Sequence, residues 1–224
     1  MSKPITAHLD ETLLRLQSTW REEKYDRNRQ DELYATEFAP AFIPLLRELP
    51  LHGAPTDRPR PTALISVLGL SWQPVALMAA WMRPTHMLVL GTQESFRKAP
   101  GASEAPIDRI RRLSGVEPIE WHVVSEPAEL EIYGHVREFL RKHRLDGHSV
   151  AVDPTGGKKS MSAAAALAGF LSGALLVYMD HADYVNRIPM AGTEYPRLLA
   201  DPLEVFSDVH VERVEPGARK TLPL

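Results

Sequence analysis

Five short apolar runs recur between residues 63 and 179, and a stretch with helical spacing separates each from the next. The runs are 63–68 (ALISVL), 86–91 (HMLVLG), 119–124 (IEWHVV), 148–152 (HSVAV) and 174–179 (ALLVYM). Most are apolar along nearly their whole length instead of alternating, which is the pattern of strands buried on both faces. Between them, 73–82, 104–114, 127–143 and 158–172 read as helices. Pro74 suits a first helical turn. Ile107, Ile110 and Leu113 share one face, and Leu130, Tyr133, Val136 and Leu140 keep register. This alternation dictates a parallel sheet covered on both faces. Right-handed crossovers make it an α/β fold with a doubly wound, mostly parallel, Rossmann-like sheet. After residue 180 the rhythm changes. DYVNRIPMAGTEYPRLL and LEVFSDVHVERV have no helical period, and they read as irregular chain with one or two extra strands, antiparallel to the rest.

Upstream lies an N-terminal helical appendage, an arm of residues 1–55, and the sheet domain takes 60–224. Leu9, Leu13, Leu16 and Trp20 make one apolar stripe on a helix over 8–24, with Thr6 as its N-cap and Asp10 and Glu11 near its positive end. EEKYDRNRQDE, residues 22–32, reads as solvated and charged. Phe38, Phe42, Leu45, Leu46 and Leu49 return to helical spacing, interrupted by Pro40 and Pro44. The proline-rich LHGAPTDRPRP, 51–61, marks the boundary. The arm packs on the main domain or serves as the contact to an effector protein.

Composition removes several classes of function. There is no cysteine, hence no disulfide and no thiolate metal site. The net charge of −3 argues against coating duplex nucleic acid. No run approaches the ~20 apolar residues of a membrane span, and the charged N-terminus is unlike a signal peptide. The expectation is a cytoplasmic protein that needs no membrane, no metal and no cofactor.

In such folds ligands bind beyond the carboxyl ends of the strands. Two loops stand out there: GLSWQP, 69–74, and DPTGGKKS, 153–160. Each runs from a strand end into a helix start, where unpaired N–H groups and a partial positive charge favour an anion. Gly156 and Gly157 allow close backbone approach and positive φ. Lys158 and Lys159 add charge, while Thr155, Ser160 and Ser71 add hydroxyls. That is chemistry for a phosphate. A P-loop is excluded, because the position five before Gly157 is Val152 and Lys158 is followed by Lys159. A dinucleotide fingerprint is excluded, because GLSWQP holds a single glycine. A mononucleotide-binding α/β enzyme remains open.

DPTGGKKSM, directly after a strand and before an alanine-rich helix, resembles the signature of CRISPR-associated Rossmann-fold (CARF) domains, usually D-x-T-G-G-T-K-x-M. Asp153, Thr155, Gly156, Gly157, Lys159 and Met161 match, and Lys158 departs where the family often has Thr. The segment ISVLGLSWQPVALMAAWMRPTHMLVLGTQES is similar to the family's first β-α-β unit. The likeness covers roughly 62–210 and leaves out the arm.

The resemblance implies a homodimer that binds cyclic oligoadenylate, most often the four-membered cyclic tetra-adenylate, across its two-fold axis as a sensor in type III CRISPR antiviral defence. It would place Thr155, Gly156, Gly157 and Lys159 on phosphates and ribose, with Lys158 beside them. Gly69, Leu70, Ser71 and Trp72 would line the first-strand loop, and Thr92, Gln93, Glu94 and Ser95 would face the adenines. Some stand-alone members are metal-independent ring nucleases, and here Ser71 and Lys159 would be the catalytic donors. The arm has no R-x-x-x-x-H pair of the ribonuclease type. Asp180, His181 and Asp183 read as pocket wall and not as metal ligands.

Overall fold

A computed structural model of the chain describes residues 8–23, 26–125, 128–186 and 188–207. Six strands form one sheet in the order β3-β2-β1-β4-β5-β8. They are β1 (Ala63–Leu68), β2 (His86–Gly91), β3 (Ile119–Val123), β4 (Val150–Asp153), β5 (Leu175–His181) and β8 (Glu194–Ala200). All neighbours are parallel except β5 and β8, which run antiparallel. The doubly wound sheet of the sequence reading is therefore present, with its extra antiparallel strand. Strand order reverses between β1 and β4, where Ser66 stands opposite Asp153, and this switch point opens the crevice of such folds. A two-stranded hairpin, β6 (Tyr184–Val185) and β7 (Ile188–Pro189), stands apart from the sheet.

On one face α7 (Glu129–His143) and α8 (Lys159–Leu171) cover a core that includes Ile65, Val67, Val136 and Val152. On the other, α4 (Gln73–Met82) and α6 (Pro106–Ser114) lie against Leu64, Leu68 and Val177. The N-terminal helices α1 (Glu11–Glu22), α2 (Arg27–Leu33) and α3 (Ala39–Glu48) close over α4. Every residue of α4 from Val75 to Met82 is buried, because the sheet lies below it and α3 above. Leu13, Tyr34, Phe38, Phe42 and Leu46 belong to the same core as Leu64 and Trp81. The arm and the start of the sheet domain also cap α4: Arg47 Nε donates to Ala80 O (3.0 Å) and Arg60 Nη1 to Trp81 O (2.8 Å). Cations on the last carbonyls of a helix suit its negative end.

Several local readings change. The N-cap of α1 is Asp10, whose carboxylate accepts from Leu13 N (2.8 Å); Thr6 lies outside the described residues. Residues 27–48 are one continuous helical rod: the charged stretch is helical from Arg27, and Pro40 and Pro44 lie inside the rod. Its middle, Tyr34–Phe38, is a π-turn in which Ala39 N reaches back to Tyr34 O. Pro40 has no N–H to give, and Arg112 Nη1 donates to Ala35 O instead (3.2 Å). Strand β2 is followed by a single helical turn, α5 (Gln93–Phe96). The last segment is helical, α9 (Pro202–Ser207): Pro202 opens it and Asp201 accepts from Leu203 N (3.0 Å), a capping signal that outweighs the weak period. The charged tail beyond 207 lies outside the described residues.

Because the arm shares the core, Phe42→Ala is expected to lower global stability by about 3–5 kcal/mol. Urea unfolding followed by tryptophan fluorescence and by far-UV circular dichroism should then shift as one transition; an early, separate loss of helix would show an independent arm.

Candidate functional site

The loops after β1 and β4 emerge side by side and touch. A Cβ on Gly69 would stand 2.1 Å from Gly156 O, one on Gly156 would stand 2.7 Å from Val67 O, and one on Gly157 would stand 2.5 Å from Val67 Cγ1. None of the three has positive φ. The positive φ expected of Gly156 and Gly157 is thus corrected: Gly156 is pressed against the Val67 carbonyl, and Gly157 against the side chains of Val67 and Ser162.

The β4 loop is held from inside. Thr155 Oγ1 donates to Asp153 Oδ1 and accepts from Met179 N (2.9 Å), while Thr155 N donates to the same Oδ1 (3.0 Å). Ser162 Oγ closes the turn on Pro154 O (2.7 Å). Thr155 therefore spends its hydroxyl tying the loop to β5. Asp153 is fully buried, and burial lifts its carboxyl to about 6, against hydrogen bonds from Thr155 and the influence of nearby Ser66. Oδ2 and the Ser66 hydroxyl have no hydrogen-bond partner.

Above this frame Lys158, Lys159 and Ser160 are exposed at the start of α8. Neither α8 nor α4 has a side-chain cap, so the first-turn N–H groups of two helices meet at the switch point with no side chain of their own to satisfy them. Ser71 and Leu70 are exposed, and Trp72 is buried.

Two cavities flank the Gly69–Trp72 loop. One, about 390 Å³, is lined by Gly69, Leu70, Trp72, Glu94 and Ser95, with Arg27, Asp31 and Arg109. The other, about 790 Å³, is lined by Ser71, Gln73, Tyr34, His181 and Glu194 under the β6–β7 hairpin. Thr155, Gly156, Gly157, Lys158 and Lys159 line neither and form an open platform between them. Thr92 and Ser95 hydrogen-bond to each other (3.0 Å) and Thr92 caps α5, so both hydroxyls serve the backbone turn; Gln93 and Glu94 are exposed.

No family model matches the chain. Over 187 residues, 79% of its length, it is 33% identical to the CRISPR system endoribonuclease Csm6 of Thermus thermophilus. That kinship to a CRISPR protein agrees with the resemblance of Asp153–Met161 to the CRISPR-associated Rossmann-fold (CARF) signature. It spans 37% of the length of that relative. Among solved structures, this CARF chain is similar to Can2 from Sulfobacillus thermosulfidooxidans in complex with cyclic tetra-adenylate (TM-score 0.43, 17% identity, 54% of this chain and 33% of that one). It is also similar to Enterococcus italicus Csm6 bound to cyclic hexa-2′-fluoro-hexa-dAMP (TM-score 0.41, 11% identity, 53% and 33%).

Two groups around the CARF crevice escape a motif search. Arg27 Nη2 donates to Leu70 O (3.3 Å) and Gln73 Nε2 donates to Asp31 (2.7 Å), so α2 grips the β1 loop. Arg109 is buried at 3% exposure. Its one signal in the sequence is a charge four residues before Leu113, one turn below it on the apolar side of α6. In the larger cavity Tyr34 Oη donates to Glu194 (3.0 Å), and burial pushes that carboxyl up to about 7. Burial also holds the neighbouring His181 imidazole below its usual range. Asp180 is taken by Tyr195 (3.1 Å) and Arg197 (3.0 Å). Among the described residues no three metal-ligating side chains converge.

The folded chain holds the Asp153 proton more tightly than the unfolded chain, so stability falls as pH rises from about 4 through 6, by about 3 kcal/mol in all. Asp153→Asn keeps the acceptor for Thr155 and sets an N–H beside Ser66. Denaturant titrations should show the variant gaining on the parent across that window; a difference that does not change with pH would mean an unshifted carboxyl.

Proposed function

We propose that this CARF domain binds cyclic oligoadenylate, in its four-membered form, on a platform shared by two copies of the chain. The observation that carries the reading is the meeting of two uncapped helix N-termini at Gly69 and Gly156, with Lys158 and Lys159 exposed above them. A cyclic ligand offers phosphates with no free end, which backbone N–H groups and ammonium charges accept without a metal. The protein's role would be that of a type III CRISPR sensor.

The shared platform follows from what α8 leaves open. Lys159, Ala163, Leu167 and Leu171 recur every four residues on its exposed face, and Leu167 and Leu171 are 51% and 67% exposed. Leu199, on the edge strand β8, is 49% exposed as well. An apolar stripe of this kind wants a partner, and a second copy across a two-fold axis would bring its own Lys159 to the same ligand.

Ser71 and Lys159, both exposed on loops that touch, also suit the second reading, a metal-independent ring nuclease. There they would donate to the charge that develops when a ribose 2′-hydroxyl attacks its phosphate.

Labelled cyclic tetra-adenylate without metal, run on native and denaturing gels, tests both. A shifted band with an intact ring supports the sensor, and linear product supports the nuclease. Lys159→Ala should weaken binding at least about ten-fold. One mononucleotide per chain in place of one ring per dimer would overturn both in favour of a mononucleotide enzyme. Leu167→Glu with Leu171→Glu should yield a monomer by light scattering that no longer holds the ring; a dimer that survives the pair would place the interface elsewhere.

A further inference from the structure

Helix α2 is held by pairs of side chains four residues apart, each pair on one face of the helix. Asn28 Nδ2 donates to Pro100 O (2.9 Å), and Glu32 accepts from Ser103 Oγ (2.8 Å) and Arg109 Nη2 (2.7 Å). Gln30 Nε2 donates to Trp20 O (3.1 Å), and Tyr34 Oη donates to Glu194 (3.0 Å). These pairs fix α2 to the segment after α5, to α6, to α1 and to β8. A further pair, Arg27 and Asp31, turns to the β1 loop. Arg27 Nη2 donates to Leu70 O (3.3 Å), and Asp31 accepts from Gln73 Nε2 (2.7 Å).

That pair acts on the groups that decide whether the loop can take an anion. The first-turn donors of α4 are the N–H groups of Gln73 and Val75, because Pro74 has none and Ala76 N bonds Trp72 O (3.0 Å). Two neighbours work against an anion there. The Leu70 carbonyl oxygen repels a phosphate, and the guanidinium of Arg27 holds it. The Gln73 amide could fold its oxygen back onto the helix N-terminus, and Asp31 holds it by its nitrogen. α4 accordingly has no side-chain cap. Asp31 is itself a rival anion, but burial raises its carboxyl above the usual range, and Arg27 and Arg109 stand against the charge it keeps.

We propose that Arg27 and Asp31 are positioning residues for the platform at Gly69 and Gly156: the arm keeps the N-terminus of α4 open, and an oligoadenylate ring binds tightly only while α2 holds the β1 loop. The inference rests on the platform reading above. It adds to that platform a part from outside residues 62–210, the span of the CARF likeness. It also makes the arm a point of control. The docking of α2 and the binding of the ring strengthen each other by the same factor, so whatever lifts α2 releases the ring.

Arg27 is exposed, so its truncation tests the grip without opening the core. In Arg27→Ala, cyclic tetra-adenylate should bind about ten-fold more weakly while the unfolding midpoint stays put. Hydrogen exchange over 69–76 should quicken in the ligand-free variant. Arg27→Lys, which keeps a donor for Leu70 O, should restore both. In the parent, the ring should slow exchange along 27–33. Weaker binding with unchanged exchange over 69–76 would mean that Arg27 touches the ligand itself, and the positioning role would fall. A parent and an Arg27→Ala variant that bind the ring equally would sink the positioning role and leave the platform standing. A parent that binds no ring would overturn the platform reading and this inference with it.

Discussion

The backbone contact between Gly69 and Gly156 sets the geometry of everything at the top of the sheet. Any side chain at Gly69 would collide with a carbonyl 2.1 Å away, so the two loops can lie together only as they are. Once they do, α4 and α8 start from neighbouring points and aim their free N–H groups into one region. Thr155, Asp153 and Met179 N fix the height of that region against β5. The motif that looks built to cradle a ligand is first a device for joining two strand ends. What the joint leaves exposed is Ser71, Lys158, Lys159 and Ser160.

Much of this was legible in the chain because the physics is local. Strands buried on both faces read as near-continuous apolar runs, and β1, β2 and β4 do, broken only by Ser66, His86 and Asp153; that pattern set the sheet class. Crossover handedness made the sheet doubly wound, but the order of its strands shows only in the folded chain. The three glycines were visible, but their reason was not: a sequence does not tell whether a glycine makes room for a ligand or for another loop. Thr92 and Ser95 read as ligand groups for the same cause, since a hydroxyl that caps a helical turn looks like one that faces a base.

The arm read as a helical appendage packing on the main domain, but where it packs did not show, and one clue to that lay in plain view. A helix such as QPVALMAAWM, apolar all round, must be covered on both sides. The sheet covers only one, so something upstream had to cover the other. EEKYDRNRQDE instead drew attention for its charge and read as solvent-facing. Glu22, Asp26, Arg27 and Arg29 are exposed, yet Arg27 also reaches Leu70 O and Asp31 accepts from Gln73, which composition does not reveal because it counts charges without directions.

The π-turn at Tyr34–Phe38 ties these matters together. A π-turn holds one more residue than an α-turn of the same height, and each residue of an α-helix advances the side chains by about 100°. The turn therefore sets the phase between α2 and α3 within a single rod. α3 can keep Phe42 and Leu46 on α4 while α2 points Arg27 and Asp31 at the β1 loop. Deleting one residue there would leave both helices intact and swing those two side chains about a quarter-turn off the loop. The rod behaves like a crank whose angle is written in a single extra amino acid.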